Sequence, residues 1–329
     1  MALPWRTSRP YRSRRRSFVP SDKRVLVPMK TFLGDAVMAS PILPALEREF
    51  GQVVVWTDGV VDQLLWTPER DRQFIKMPRV RKPKEVIAQA RRLRAERFDV
   101  AVVVNHSFRA ALTCLLAGIK VRVGHTVEQR RIVLTHPVDY DETRWETRAN
   151  FDLLKRLGVD AEETIPQLPM TGQEREEGVR ALEGATVGLQ PGARFDAKQL
   201  PPPVREKILQ ELLAEGHRVA LLGGKEEADR ALPLVEKYGS GVVNLVGKTS
   251  IRQTLGALAG LRLMLGADTG LLHMAAAVDT PTVTVFGPTP ASKWGHWYEP
   301  HTVLQASEGK IENADAEEIL RHARERLTR

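Results

Sequence analysis

From Arg24 to the end of the chain, short apolar runs alternate with longer segments of helical periodicity. Parallel strands need a crossover between them, and helices on both sheet faces bury such strands completely. The alternation therefore predicts an α/β protein with doubly wound sheets. Strands are expected at 25–28, 53–57, 74–77 and 100–104. A second series is expected to begin at 187–189 and to continue at 219–222, 242–246, 263–265 and 282–286. Helices are expected at 34–50, where Val37, Ile42, Leu43 and Leu46 keep helical spacing, and at 84–97, with a last one at 314–326. Between the two series, Pro166, Pro169 and Gly172 mark a linker. A length of 329 residues fits two cores, at about 150 residues per domain.

Two such sheets facing each other would place ligands at the carboxyl ends of their strands. The charge of the chain bears on what those ligands are. Of the net +8, residues 1–24 supply +7, from eight Arg and Lys against the single acid Asp22. The excess thus reads as a tail, and no folded basic groove is expected. Arg15-Arg16 has the look of a twin-arginine signal, but Val19 to Lys23 lead straight into the first strand with no apolar run between. We expect residues 1–23 to be a disordered extension that can rest on anionic lipid head groups. Only Trp5, Tyr11 and Phe18 lie near enough to stack on bases, so nucleic acid is not an expected partner. Cys114 is the sole cysteine, which excludes an intrachain disulfide and a cysteine metal cluster. No apolar run approaches the roughly 18 residues that span a bilayer.

The residues that can carry chemistry follow expected strands. Asp268-Thr269-Gly270 closes a strand and opens a helix, whose free N–H groups and dipole make an anion site, with His273 one turn further on. In the loop Gln190 to Pro201, Pro191 and Gly192 shape a turn, and Arg194 and Lys198 can each put a cation on a phosphate. Gly223-Gly224 ends another strand, and Glu226, with Glu227 as a near substitute, can accept hydrogen bonds from ribose hydroxyls. Gly247-Lys248-Thr249 is not a Walker loop, because Val242 stands where that pattern needs glycine. In the first half, Lys30 to Val37 contains one glycine, Gly34, so the dinucleotide fingerprint is absent. Asp35 remains, a carboxylate at a strand-to-helix turn, which taken alone is an ordinary helix-start acid. His106 and Arg109, after the strand at 100–104, are candidates for the acceptor side.

Taken together these motifs resemble glycosyltransferase family 9. The family signature D-T/S-G-x-x-H-x-A matches Asp268 to Ala275, continued by its T-P-x-x-x-x-F-G-P-T segment at 280–289 and by Trp294-Gly295. Lys198 matches a family lysine that contacts the donor diphosphate, although Leu200 stands where tryptophan is common. The family opening R/K-x-x-x-G-D matches Lys30 to Asp35. The resemblance implies a GT-B fold of two Rossmann-like domains facing a cleft. An acceptor domain would span 24–165, completed by a C-terminal helix at 314–329 crossing back onto it, and a nucleotide-sugar domain would span 166–313. It also implies Asp35 as catalytic base, Lys198 as the group stabilising the leaving diphosphate, and Arg194, Glu226, Asp268, Thr269, Gly270 and His273 as donor-binding, with backbone beside the G-K-T-S turn lining the nucleobase pocket.

The expected reaction is inverting transfer of a sugar, heptose from ADP-heptose, to a lipopolysaccharide core or related glycan. No metal and no cofactor are expected, since an HExxH spacing is missing. The site would be cytoplasmic, peripheral at the inner membrane. A different nucleotide sugar or a protein acceptor is the alternative within the enzyme class. From another class, the alternative is a non-catalytic binding protein that works through its basic tail.

Overall fold

The computed structural model describes residues 22–70 and 72–328. The basic extension therefore falls outside the described residues except for Asp22 and Lys23. The first sheet is built from β1 (Arg24–Pro28), β2 (Gln52–Thr57), β3 (Gln73–Lys76), β4 (Val100–Val103), β5 (Val121–His125) and β6 (His136–Val138). Its helices are α1 (Leu33–Ala39), α2 (Ile42–Phe50), α3 (Val61–Leu65), α4 (Pro83–Ala95), α5 (Phe108–Leu116) and α6 (Glu146–Leu157). After the linker come α7 (Gly172–Ala181), β7 (Val187–Leu189), α8 (Pro202–Ala214), β8 (Val219–Leu221), α9 (Ala228–Tyr238), β9 (Val242–Asn244) and α10 (Ile251–Gly260). The chain ends with β10 (Leu263–Ala267), α11 (Gly270–Ala276), β11 (Thr282–Phe286), α12 (Ala291–Trp294), β12 (Thr302–Gln305) and α13 (Ala316–Leu327).

Both sheets are wholly parallel, ordered β3-β2-β1-β4-β5-β6 and β12-β11-β10-β7-β8-β9. Read from its far edge, the second repeats the order of the first, so each is the doubly wound arrangement with one point where strand order reverses. Those points fall between β1 and β4 and between β7 and β10. Strands such as Val100–Val103 and Thr282–Phe286 are buried along their whole length, as expected of apolar runs covered on both faces.

Three details depart from the sequence-based expectation. The helix expected at 34–50 is two helices, because Pro41 has no N–H to bond back to Val37 and the Ser40 hydroxyl takes that carbonyl instead, at 2.8 Å. The C-terminal helix does not cross back. Ile319, Leu320, Ala323 and Leu327 lie on one stripe of α13 and pack into the core of the second sheet with Ile208 and Leu212 of α8. Arg324 also pairs there with Glu215 at 2.5 Å. Finally, charge does segregate on the folded surface: residues 79–131 hold 13 Lys and Arg against 4 Asp and Glu. Arg91, Arg92, Arg94 and Arg97 on or just after α4, and Arg109 and Arg131, are exposed beside the exposed apolar Ile87, Leu115, Leu116 and Ile132.

The two sheets share a core. One apolar cluster runs from Val25, Val37 and Leu64 of the first unit to Leu255, Leu272 and Met274 of the second. The units approach most closely where α1 meets α11. A Cβ added at Gly34 would stand 2.7 Å from His273 Cδ2 and 3.4 Å from Gly270 Cα, and one at Gly270 would stand 3.0 Å from Leu33 Cβ. Only glycine at both positions lets these helix starts meet. The carboxyl ends of both sheets are thereby brought to one cleft.

Candidate active site

The loop after β1 carries Lys30, and Asp35 sits in the first turn of α1, where an acid complements the helix dipole. Lys30 is buried, with Nζ 3.1 Å from Glu146 Oε1 and 4.0 Å from Asp35 Oδ1. The Glu146 carboxylate, fully buried at the start of α6, accepts the Tyr140 hydroxyl on its other oxygen at 2.7 Å. Lys293 reaches that oxygen from the second unit, at 3.8 Å, and lies 4.1 Å from the centre of the Tyr140 ring. Two cations and two carboxylates thus offset one another where no single charge could be buried cheaply. Burial raises Asp35 above the ordinary aspartate value. Lys30 opposes that rise, Glu146 adds to it, and Lys198 pulls the other way. Gly34, the residue before Asp35, lies directly against the His273 ring of the second unit.

Across the cleft, Asp268 follows β10 and is buried. Its Oδ2 accepts Lys198 Nζ at 2.5 Å and the Thr289 hydroxyl at 2.6 Å, and its Oδ1 lies 3.2 Å from His273 Nε2. Burial pushes this carboxyl up, but the hydrogen bonds from His273 and Lys198, with the Lys198 charge, outweigh it and hold the group well below the carboxylate range. The Thr269 hydroxyl donates to Gln190 at 3.2 Å, tying the loop after β10 to the end of β7. Lys198 is therefore presented by Asp268 at the cleft. Arg194 is exposed at the rim, with its guanidinium 5.7 Å from the Phe32 ring, and Phe32 meets Phe195 edge-on at 6.5 Å from the opposite unit. His273 is buried with both ring nitrogens occupied, so it is a support of this cluster rather than an open ligand group.

The acidic pair after β8 divides in two. Glu227 folds back so that its carboxylate accepts the Gly224 N–H at 2.7 Å, and burial pushes its carboxyl up to about 7. Glu226 is exposed. Glu227 is thus a structural residue, and the near equivalence expected from sequence does not hold. The Gly247 N–H donates to the Gly223 carbonyl at 3.0 Å, which sets the G-K-T-S turn beside this loop. On the first unit, a cavity of about 260 Å³ opens at the ends of β1 to β4, lined among others by Lys30, Asp35, Arg79, His106 and Arg109. His106 is held neutral, lowered to about 2 mainly by burial and then by Lys30, and its Nε2 finds no hydrogen-bond partner among the described residues. Arg109 is exposed at the cavity rim. Lys30 is not a free acceptor-side cation, since Glu146 already holds it.

Sequence reasoning thus found the four loops that converge on the cleft. It missed Glu146, Tyr140, Gln190, Thr289, Lys293, His296 and Tyr298, which hold those loops in place. The one local signal was proximity of Thr289, Lys293 and His296 to Pro288 and Trp294-Gly295, in a segment already singled out. Among the described residues, no group of three or more His, Cys, Asp or Glu side chains is placed to hold a metal ion, and no helix is long and apolar enough to cross a membrane.

The comparisons with known proteins agree in direction. The model of glycosyltransferase family 9 (heptosyltransferase) matches residues 86–323. A lipopolysaccharide heptosyltransferase 2 of Salmonella typhimurium is 27% identical over 81% of this chain and 83% of its own length. Among solved structures, the ADP-heptose lps heptosyltransferase II of Escherichia coli superposes with a TM-score of 0.80 at 23% identity, covering 93% of this chain and 98% of that one. An Escherichia coli heptosyltransferase solved with ADP gives 0.74 at 19% identity, over 92% and 99%. Both structures share the two-domain GT-B architecture.

Proposed function

The chain belongs to glycosyltransferase family 9, and from that premise we propose that it transfers heptose from ADP-heptose to a lipopolysaccharide core sugar, inverting the anomeric centre without a metal ion. The observation that carries the reading is the apposition of two groups of opposite task at the α1–α11 contact. Asp35 is a half-buried carboxylate lining the first-unit cavity, and Lys198 is a cation held by Asp268 on the side of the second unit.

An inverting transfer needs a base on the acceptor hydroxyl and a counter-charge on the departing diphosphate, on opposite faces of the sugar. Asp35 takes the acceptor proton as the oxygen attacks the anomeric carbon. Burial raises its basicity, and Lys30, tied to Glu146, keeps it from being neutralised outright. Lys198, with Arg194 at the rim and the backbone N–H groups around Thr269 and Gly270, receives the charge that builds on the nucleoside diphosphate. Glu226 is the exposed carboxylate suited to the ribose hydroxyls. Fixed cations supply what a divalent ion otherwise would, and this supports metal independence.

The acceptor would be a lipid-linked glycan at the cytoplasmic face of the membrane. Support for peripheral contact with anionic lipid comes from the basic, aliphatic-studded outer face of α4 and α5, to which the basic tail would add.

Calorimetric titration with ADP, ADP-heptose and UDP and GDP sugars, all in EDTA, tests the donor assignment. Selective adenine-nucleotide binding that Lys198→Ala weakens by about 10- to 100-fold is expected, since a hydrogen bond to a charged group contributes about 1.5–3 kcal/mol. Absence of binding by any nucleotide to the folded protein would overturn it.

A further inference from the structure

Behind the cleft, His273 ends a line of buried polar groups that the transfer itself does not use. His273 Nδ1 lies 2.8 Å from His296 Nε2, and His296 Nδ1 lies 2.9 Å from the Tyr298 hydroxyl. His296 is 2% exposed and its ring packs edge-on against those of His273, Tyr298 and His301. Together with the Asp268 bond on the other side of His273, this makes an unbroken chain, Tyr298–His296–His273–Asp268–Lys198, across the second unit.

The direction of that chain follows from its ends. Ionised Asp268 can only accept, so His273 must donate from Nε2. In the Nε2–H tautomer of His273, Nδ1 offers only a lone pair, which calls for an N–H from His296 Nε2. His296 is neutral in turn, its charged form disfavoured by burial. It therefore accepts the Tyr298 O–H at Nδ1. Every polar atom of the row is satisfied with no added buried charge, which is the condition under which such networks stiffen a core.

The same imidazole also touches the other half of the cleft. Its Cδ2 edge lies against Gly34, one residue before Asp35, so closely that a single methyl group there would not fit. One ring thus sets both the hold of Asp268 on Lys198 and the seat of the turn that bears the base. We propose that His296 and Tyr298 are positioning residues: they fix the tautomer and orientation of His273, and through it the alignment of Asp35 with the Lys198–Asp268 pair. This rests on the transfer reaction proposed above for what the alignment serves, but the tautomer assignment stands without it.

The test compares full-length wild type with His296→Leu, Tyr298→Phe and His296→Gln, whose amide N–H can replace the Nε2 donor. ¹⁵N-histidine NMR should show His273 in wild type as the Nε2–H tautomer, and in His296→Leu as a mixture. Turnover of ADP-heptose should fall about 10- to 100-fold in kcat for His296→Leu, the range typical when an outer partner of a site residue is removed. The smaller loss belongs to Tyr298→Phe. Nucleotide affinity should change less than about threefold, because Thr289 and Lys198 still hold Asp268, and His296→Gln should recover most of the rate. A doubly protonated or Nδ1–H His273 in wild type would overturn the proposal. So would unchanged kcat in both folded His296→Leu and Tyr298→Phe. If wild type turns over no nucleotide sugar at all, the transferase reading fails, and the NMR comparison decides this proposal on its own.

Discussion

Replacing Gly34 by alanine adds one methyl group at the place where the two units touch. Its Cβ would stand 2.7 Å from His273 Cδ2, against a contact distance of about 3.5–4.0 Å between carbon atoms. The ring cannot swing aside at little cost, because it is buried and bonded at both nitrogens. Relief has to come from moving α1 away from α11. Forcing an extra methylene into a packed contact costs about 1–3 kcal/mol, which corresponds to a drop of about 5- to 150-fold in the population of the apposed arrangement. Alanine also gains about 1 kcal/mol of helix propensity over glycine, but that gain is the same whether or not the helices touch. Overall stability should therefore change little while alignment suffers. The expected result is a fall in kcat/KM of about tenfold or more, with a circular dichroism spectrum and thermal midpoint close to wild type. Unchanged kcat/KM at unchanged stability would mean that α1 and α11 separate at no cost, and would refute the claim that this contact aligns the base with the donor side.

Asp35→Asn should lower kcat by about 10²–10⁴-fold, the usual contribution of a positioned base, with ADP affinity retained in calorimetry; equal loss of both would mean that Asp35 is structural. The carboxyl of Asp35 is raised, so its base form accumulates only as pH rises through that raised value, and the acid limb of kcat/KM should lie above the roughly 3.9 of an ordinary aspartate. Glu146→Gln removes a negative charge that contributes to the rise and should move the limb to lower pH. It also leaves Lys30 and Lys293 buried without their carboxylate, a loss of about 3–5 kcal/mol measurable by denaturant unfolding; no change in either reading would show the cluster to be incidental. Arg91→Glu/Arg92→Glu should weaken binding to phosphatidylglycerol vesicles by at least about tenfold, since each basic residue near such a surface contributes about 1 kcal/mol. Equal binding by wild type and variant would remove the outer face of α4 from the membrane reading.

Most of the fold was legible because parallel sheets bury whole strands, and a run of Thr, Val and Phe such as Thr282–Phe286 announces itself without knowledge of the partner. Three strands escaped notice: Val121–His125, an interior strand whose Arg122, Gly124 and His125 break the apolar run, and two at sheet edges. His136–Val138 and Thr302–Gln305 are only partly buried, so their sequences carry polar residues and no apolar run. The final helix was misplaced for a related reason. Its stripe of Ile319, Leu320, Ala323 and Leu327 says that it packs, but periodicity does not say against which sheet, and that choice is made by the apolar outer face of α8. Net charge misled in the same manner: a sum near zero over residues 25–329 is compatible with acids and bases gathered on different faces.

The site shows the sharper limit. A loop that follows a strand offers its chemistry locally, and Asp35, Lys198 and Asp268 were singled out from such loops with the family resemblance deciding their roles. What holds them is written far off in the chain, with 116 positions between Lys30 and Glu146, 70 between Lys198 and Asp268 and 150 between Trp145 and Gly295. A buried charge is costly until its partner arrives, so each of these residues makes physical sense only in the pair. Glu146 illustrates it. As the first residue of a helix it reads as an ordinary complement to the dipole, yet with no exposure and three donors or cations around its oxygens it joins the two units across the cleft. Lys293 is the half of that arrangement that the second unit contributes. Separating the units would strand the Lys293 ammonium away from its carboxylate and leave Lys30 to pair with Glu146 alone. The cleft and the charge around the base are therefore coupled by construction, and a variant such as Lys293→Met should reveal it by loosening the apposition of the units while shifting the pH at which Asp35 becomes a base.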